Sequence, residues 1–432
     1  HYEQARRVVD HFGGKVADRL AELPGAESLR RDLLLDSLGY YQQFLNTAAD
    51  DPRLSADMAA TGFKSAAIAE RLGDRAAAVD HYQLAVDQWR ALSEHSATAE
   101  SRASLALGLS SLARVLASNG DFKRADRLFA EAIEIGRGLT SAEPDNAARA
   151  EALAETLCNF GLARRRDGDR EQAADLMRQG ISLYEQSLRQ SPKRTQTLRS
   201  LAVAQNNLSD TLGAESLPEA FEASHAAQAA MRRLVDLHPH SPQYLADLAM
   251  TNNNQAALEG VAGNWRAAAV LYREAAKQIS RLVDSNPLIP RHRRELAIAH
   301  SNLALALAKI GEMDASKNAF DAAGAVLTEL AEDFPQQPLY ASSLAALWNN
   351  RGVALRNAGL HEAALEAFGN SIAQQESAVA DNRPSPLQVD LLRRQYENYA
   401  AALRDLNRPA EAGAAEQKLQ ELIADSTNQS DR

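Results

Sequence analysis

A glycine returns along this chain at a nearly constant interval. Gly73, Gly120, Gly168, Gly263, Gly311 and Gly359 follow one another by 47, 48, 95, 48 and 48 residues, and Asn407 continues the series 48 residues later. Each closes a helical pattern and is usually followed by a cap-type or acidic residue. Glycine suits the left-handed position after a helix, and Asp74, Asp121, Asp169 and Asn264 then offer a side-chain oxygen to the next helix. The spacing predicts a tight helix-turn-helix at every site. The double step spans one degenerate unit, whose turn reads Leu212-Gly213-Ala214-Glu215-Ser216-Leu217-Pro218.

A second series runs out of phase with the first: Pro144, Pro192, Pro239, Pro287 and Pro335, often doubled by Pro242, Pro290, Pro338 and Pro386. Proline stops one helix and tolerates the first turn of another, so these residues mark connections between units. Between Gly120 and Pro144 lie 23 residues, room for a helix of about 20 residues and roughly 30 Å. Each unit is therefore two long helices, and the fold class is all-α.

Inside each second helix a small residue precedes a larger one by four. The pairs are Ala78 and Tyr82, Ala125 and Phe129, Ala173 and Met177, Ala268 and Tyr272, Ser316 and Phe320, and Ala364 and Phe368. Four residues is about one turn, so both face one side, the small one admitting a neighbouring helix and the large one filling the gap. In the last unit the pair becomes Ala412 and Glu416, the polar outer face a terminal repeat needs.

With Phe160-Gly161 and Arg351-Gly352 resembling a Leu-Gly step, the Ala-x-x-x-Phe pairs and the closing prolines, the sequence resembles the tetratricopeptide repeat family. The usual unit of that family, about 34 residues, is exceeded here by about seven residues per helix, and seven residues nearly restore helical phase, so the same faces stay inward. The resemblance implies a right-handed α-solenoid of antiparallel helix pairs over residues 53–424, about eight units counting the degenerate one. Residues 1–52 read as a helical hairpin that caps the solenoid, with Pro24-Gly25 at its turn, and residues 425–432 as a frayed polar tail.

Nine residues before each turn lies a third ladder: Ser111, Asn159, Asn254, Asn302, Asn350 and Asn398, with Asn207 in the degenerate unit. Asn206, Asn253 and Asn349 double it. The family resemblance implies that these first helices line a concave groove. A row of amides grips an extended peptide by its backbone, each offering two donors and an acceptor. The other reading is that the asparagines bond the neighbouring helix and fix the stacking, because buried polar groups need partners. Arg165, Lys309, Arg356 and Arg404 follow the ladder by six or seven residues, about two turns, and are candidates to meet an acidic ligand group at the groove edge.

Other chemistry is thinly represented. The sequence carries no His-Glu-x-x-His, Gly-x-Ser-x-Gly or Walker-type loop, since Gly13-Gly14-Lys15 has neither the preceding strand nor the spacing. We therefore expect no enzyme, no cofactor and no metal site. His238-Pro239-His240 and Arg291-His292 fall at connections and read as solvated, and the run Arg164-Arg165-Arg166 is answered by Asp167 and Asp169. Trp89, Trp265, Trp348 and the single cysteine, Cys158, read as packing residues. A formal charge of −10, with 45% apolar and 5% aromatic residues among 432, suits a soluble helical protein and disfavours nucleic acid as partner. No stretch reaches the roughly 18 to 20 apolar residues of a membrane span.

Residues Ala5-Arg6-Arg7-Val8-Val9-Asp10, Leu23-Pro24-Gly25-Ala26-Glu27-Ser28-Leu29-Arg30-Arg31-Asp32-Leu33-Leu34 and Tyr41-Gln42-Gln43-Phe44-Leu45 resemble the segment that opens the repeat region of planctomycete-type bacterial serine/threonine protein kinases. The opening His1-Tyr2-Glu3, without Met, suggests a segment of a longer protein. The resemblance implies a C-terminal sensory or scaffolding region, extracytoplasmic and tethered through an upstream membrane helix. No kinase element is present, and Gly120-Asp121-Phe122 is a repeat turn. Two functions follow as expectations: a scaffold holding a protein or peptide segment in the groove, or a ligand-sensing or dimerisation element regulating an attached kinase without peptide binding.

Overall fold

The computed structural model describes residues 8–9, 11–20, 26–48, 54–379 and 386–428. Every residue of the turn series takes a positive φ: Gly73 80°, Gly120 85°, Gly168 97°, Gly263 82°, Gly311 83°, Gly359 78° and Asn407 58°. At Gly73 the backbone N–H groups of Gly73 and Asp74 close on the Glu70 and Ala69 carbonyls, which satisfies the last turn of the preceding helix.

These turns separate α-helices that we number in chain order. The first, α1, is Glu27–Ala48. Eight pairs follow. They are α2 (Ser55–Leu72) with α3 (Arg75–His95), α4 (Ala99–Ser118) with α5 (Phe122–Ala142), α6 (Ala147–Asp167) with α7 (Arg170–Gln190), and α8 (Thr195–Leu212) with α9 (Leu217–Leu237). The chain continues through α10 (Pro242–Val261) with α11 (Trp265–Ser285), α12 (Pro290–Lys309) with α13 (Met313–Asp333), α14 (Pro338–Asn357) with α15 (His361–Val379), and α16 (Pro386–Asp405) with α17 (Pro409–Asn428). No strand occurs among the described residues, and the fold is an all-α array of consecutively packed hairpins. The degenerate pair keeps its two helices, but Gly213–Ser216 forms a 3-10 turn between them in place of the glycine and cap.

By contact density the chain divides after Tyr244 into two units. In the first, Ala78, Tyr82, Trp89, Leu109, Leu112, Phe129, Leu157 and Phe160 belong to one buried cluster running through successive hairpins. In the second, Tyr272, Leu307, Phe320, Leu327 and Leu330 form such a cluster, and Phe368 packs with Leu403 and Ala412 in another. All six expected small-and-large pairs are buried, from Ala78 and Tyr82 to Ala364 and Phe368, none more than 8% exposed. Where the first helix carries glycine the contact is closest. A Cβ at Gly161 would lie 2.9 Å from Met177 Cγ, and one at Gly352 2.5 Å from the Phe368 ring. Glu416 is half-exposed and pairs with Arg404.

Three of the four expected caps form: the Asp74, Asp121 and Asp169 carboxylates accept from the backbone N–H groups of Ala77, Arg124 and Gln172. Asn264 does not cap. Its amide N–H donates instead to Glu259 Oε2 at 2.9 Å, because an amide, unlike a carboxylate, also donates, and a carboxylate lies within reach.

Ahead of α1, a π-helical turn, His11–Val16, runs into a short helix, Ala17–Leu20. The sequence pattern reads as a helical hairpin and gives no sign of this wider turn. The wider turn places Gly13 against Ser37, where a Cβ would lie 2.8 Å from the hydroxyl. Arg71 donates to the Gly13 carbonyl and Arg30 to that of Ala17, while Ala17, Leu34, Tyr41 and Ile68 share a buried cluster. Residues 1–7, 10, 21–25 and 49–53, with the Pro24-Gly25 turn, lie outside the described residues, as do 429–432 of the polar tail; α17 itself runs to Asn428.

Candidate functional site

The asparagine ladder falls on first helices throughout, and in the second unit its amides bond one another. Asn302 Nδ2 donates to Asn253 Oδ1 at 2.9 Å, Asn398 Nδ2 to Asn349 Oδ1 at 2.9 Å, and Asn350 Nδ2 to Ser301 Oγ at 3.2 Å. Each bond spans 49 residues, so a ladder residue reaches the residue just before its counterpart in the preceding first helix. Both halves of the doubled ladder are thus used in joining α10 to α12 and α14 to α16, and Asn350 with Ser301 joins α12 to α14. A net gain of about 0.5–1.5 kcal/mol per bond is expected for such neutral pairs. One N–H of each donor is spent in this way; the amide has a second N–H and a carbonyl. In the first unit Asn206 is buried, whereas Asn159 and Asn207 are half-buried, as is Asn254 in the second.

The four candidate cations all have partners within the chain. Arg165 lies 3.9 Å from Asp210, Arg356 Nε 2.5 Å from Asp405, and Arg404 pairs with Glu416. The Lys309 ammonium sits 5.7 Å from the centre of the Trp265 ring. Arg164, from the basic run, pairs with Asp126, Asp167 and Asp169. Cys158 is buried, and burial pushes its thiol up to about 12, so it is a packing group. Trp89 is 8% exposed, and Trp265 and Trp348 pack against the core of the second unit.

A cavity of about 550 Å³ opens in the second unit between the first helices α12, α14 and α16. Ile298, Leu339, Ala346 and Leu391 supply apolar walls, and the ladder residues Asn302 and Asn350 reach it with Ser301 and Ser343. Arg294 also lines it, its Nε donating to Ser343 Oγ at 2.9 Å. A smaller cavity of about 260 Å³ in the first unit is lined by α4 and α6, including Leu107, Ser111, Arg149 and Asn159. A third, of about 410 Å³, lies between α13, α14 and α15, away from the ladder, against Phe320, Trp348 and Leu360.

Sequence reasoning passes over two features here. One is Arg294, an arginine eight residues before Asn302, whose place is held by Ala246 and Ser342 in the units on either side and by Arg199 in the degenerate unit. The other is an apolar row four residues before the ladder: Leu107, Val203, Met250 and Ile298 are 50%, 36%, 51% and 36% exposed, while Glu155, Ala346 and Arg394 hold the same place in the remaining units. The same 48-residue register that reveals the asparagines carries it, and subtracting one turn would have found it. A further network ties first and second helices together. Arg114 grips Glu70 through both nitrogens at 2.8 and 2.7 Å, and the Tyr82 hydroxyl donates to the same carboxylate at 2.8 Å.

No family model matches this chain, and no curated protein matches it either. Solved structures do. A Rap protein complexed with competence and sporulation factor is 16% identical over 99% of both chains, with a TM-score of 0.42. The apo form of RapI is 12% identical over 74% of this chain and 98% of its own, with a TM-score of 0.48. A tetratricopeptide repeat protein from Parabacteroides merdae is 14% identical over 73% of this chain and 99% of its own, with a TM-score of 0.38. At these identities and scores the fold rests on the chain's own helices and turns.

Proposed function

We propose that this chain is a non-catalytic scaffold that holds a protein or peptide segment against its first helices. The observation that carries the reading is the 550 Å³ cavity between α12, α14 and α16, apolar at its walls and edged by Asn302 and Asn350. Such a concave site, mostly apolar with a few fixed polar groups, is what a ligand side chain and its flanking backbone need. The ladder then has two duties. One N–H of Asn302, Asn350 and Asn398 joins adjacent hairpins, and the remaining amide groups serve a bound chain, with Asn253, Asn254 and Asn349 beside them on the first helices of the second unit; in the first unit the half-buried Asn159 and Asn207 are offered by their own first helices, and the buried Asn206 serves packing.

The test is selection of random octapeptides on the full chain, followed by hydrogen exchange. Binding should protect α12, α14 and α16, and Ala346→Trp, which fills the cavity, should abolish it while leaving helicity unchanged. Selected peptides that protect none of these helices, or that bind the filled variant equally well, would remove the groove from consideration.

The likeness of residues 5–45 to the opening of a planctomycete-type kinase repeat region supports a finer placement, as the sensory or scaffolding C-terminal region of such a kinase, tethered to a membrane through an upstream helix. On this placement the tether is a segment before these residues; no helix among the described residues is long and apolar enough to cross a membrane. A kinase domain and a membrane helix encoded directly upstream would support this placement; an unrelated upstream segment would end it.

A further inference from the structure

The charge lining the second unit's cavity is out of keeping with the rest of the chain. The protein carries a formal charge of −10, and most of its arginines around the cavity helices are answered by carboxylates: Arg291 by Glu295, Arg293 by Glu329 and Asp333, Arg351 by Asp321, and Arg356 by Asp405. Arg294 is not. Its Nε bonds Ser343 Oγ, and among the described residues its two terminal nitrogens have no hydrogen-bond or ion-pair partner. Among the described residues it is the one charged residue lining the cavity, and none of those residues brings a carboxylate to it. A guanidinium held by one nitrogen in an apolar recess keeps a planar pair of donors for an oxyanion.

Around it the surface is apolar. Ile298 is 36% exposed and Leu339 51%, and both line the cavity together with Leu391. One first helix earlier in the register, Met250 takes the place of Ile298 and is 51% exposed; one and two later stand Ala346 and the exposed Arg394. The half-exposed apolar row and the unanswered cation therefore meet at one recess.

Building on the scaffold reading above, we infer that this recess selects its ligand: it takes a peptide in which a large aliphatic side chain stands within a residue or two of a carboxylate. The aliphatic group seats between Ile298, Leu339 and Leu391, and the carboxylate closes on the free nitrogens of Arg294. Arg294 is the specificity-determining residue. The carboxylate comes from an aspartate or glutamate side chain or from a peptide's own C-terminus, two sources of one chemistry that free and amidated C-termini distinguish.

Octapeptides displayed with blocked and with free C-termini should be selected on the full chain and on the variants Arg294→Gln and Arg294→Glu. On the native chain the selected sequences should pair leucine, isoleucine or methionine with aspartate or glutamate, or with a free C-terminus. Arg294→Gln keeps a donor for Ser343 and should weaken those peptides about tenfold or more, the range for a hydrogen bond to a charged group; Arg294→Glu should redirect selection to lysine and arginine. Thermal midpoints of both variants near that of the native chain separate lost recognition from lost folding. Peptides selected with no acidic bias, or bound equally by Arg294→Gln, would overturn this inference and leave the scaffold reading standing. Failure to select any peptide on the native chain would overturn both.

Discussion

Gly352 lies under the Phe368 ring with no room for a methyl group, since a Cβ there would come within 2.5 Å of the ring. Gly352→Ala should destabilise the chain by about 1–3 kcal/mol through overpacking. At Gly413, where nothing lies within 4 Å of such a Cβ, the same change should be neutral or slightly stabilising; urea titration of the two variants checks the contrast. The Arg351-Gly352 step is readable as a motif, but its reason, the ring it admits, is a contact made by another helix. Glu70 gives a residue-scale test in pH. Burial alone would raise its carboxyl, but hydrogen bonds from Arg114 and Tyr82 outweigh it, and the group sits below its ordinary 4.5. A depressed carboxyl contributes stability that is complete above its unfolded value and lost as pH falls through the folded one. Glu70→Gln should therefore lower stability at neutral pH and flatten its decline below pH 4.5, and unfolding free energies measured from pH 7 to pH 3 would show both.

At the scale of the helix, turn chemistry repeats with small local variations that stability measurements resolve. Asp121 caps α5, so Asp121→Ala should cost about 1 kcal/mol. Asn264 makes no cap to α11, and Asn264→Ala should cost only a few tenths, its side chain being spent on an exposed bond to Glu259. Equal losses at the two sites would contradict the assignment. Among the described residues Asn407 is the lone non-glycine residue at positive φ. Asn407→Gly should stabilise the last hairpin by roughly 0.5–1 kcal/mol, since the left-handed conformation costs an L-residue about 1–2 kcal/mol and asparagine somewhat less. Differential scanning calorimetry would register this as a higher transition temperature for the variant.

At the scale of the whole molecule, stability within each unit is expected to be a sum of hairpin terms and nearest-neighbour terms, because successive hairpins there bury their faces against one another. Phe129→Ala empties a fully buried site in the first unit, at a cost of about 3–5 kcal/mol. Hydrogen exchange should rise most in α4 to α7 and fall back toward native values with distance along the chain. A uniform rise through both units would show one cooperative block instead of a chain of neighbours.

What could be read from the residues alone was whatever depends on interactions within a few positions, repeated in register: left-handed turns at seven numbered places, the helices between them, and the small and large side chains that face inward. A backbone conformation that favours glycine, or a pair of side chains one turn apart, is a local matter, and seven or eight copies make it unmistakable. The asparagine ladder was visible by the same rule, yet its use was not. Whether Asn302 turned to solvent or to Asn253 depends on a residue 49 positions away and on how the two helices lie together. The same holds for Arg294: as a letter in Arg293-Arg294 it looks like its neighbour, and only packing gave one of them two carboxylates and the other an apolar recess. Local sterics act before the chain has folded, whereas the partner of a charge or an amide is chosen by the helices that arrive beside it.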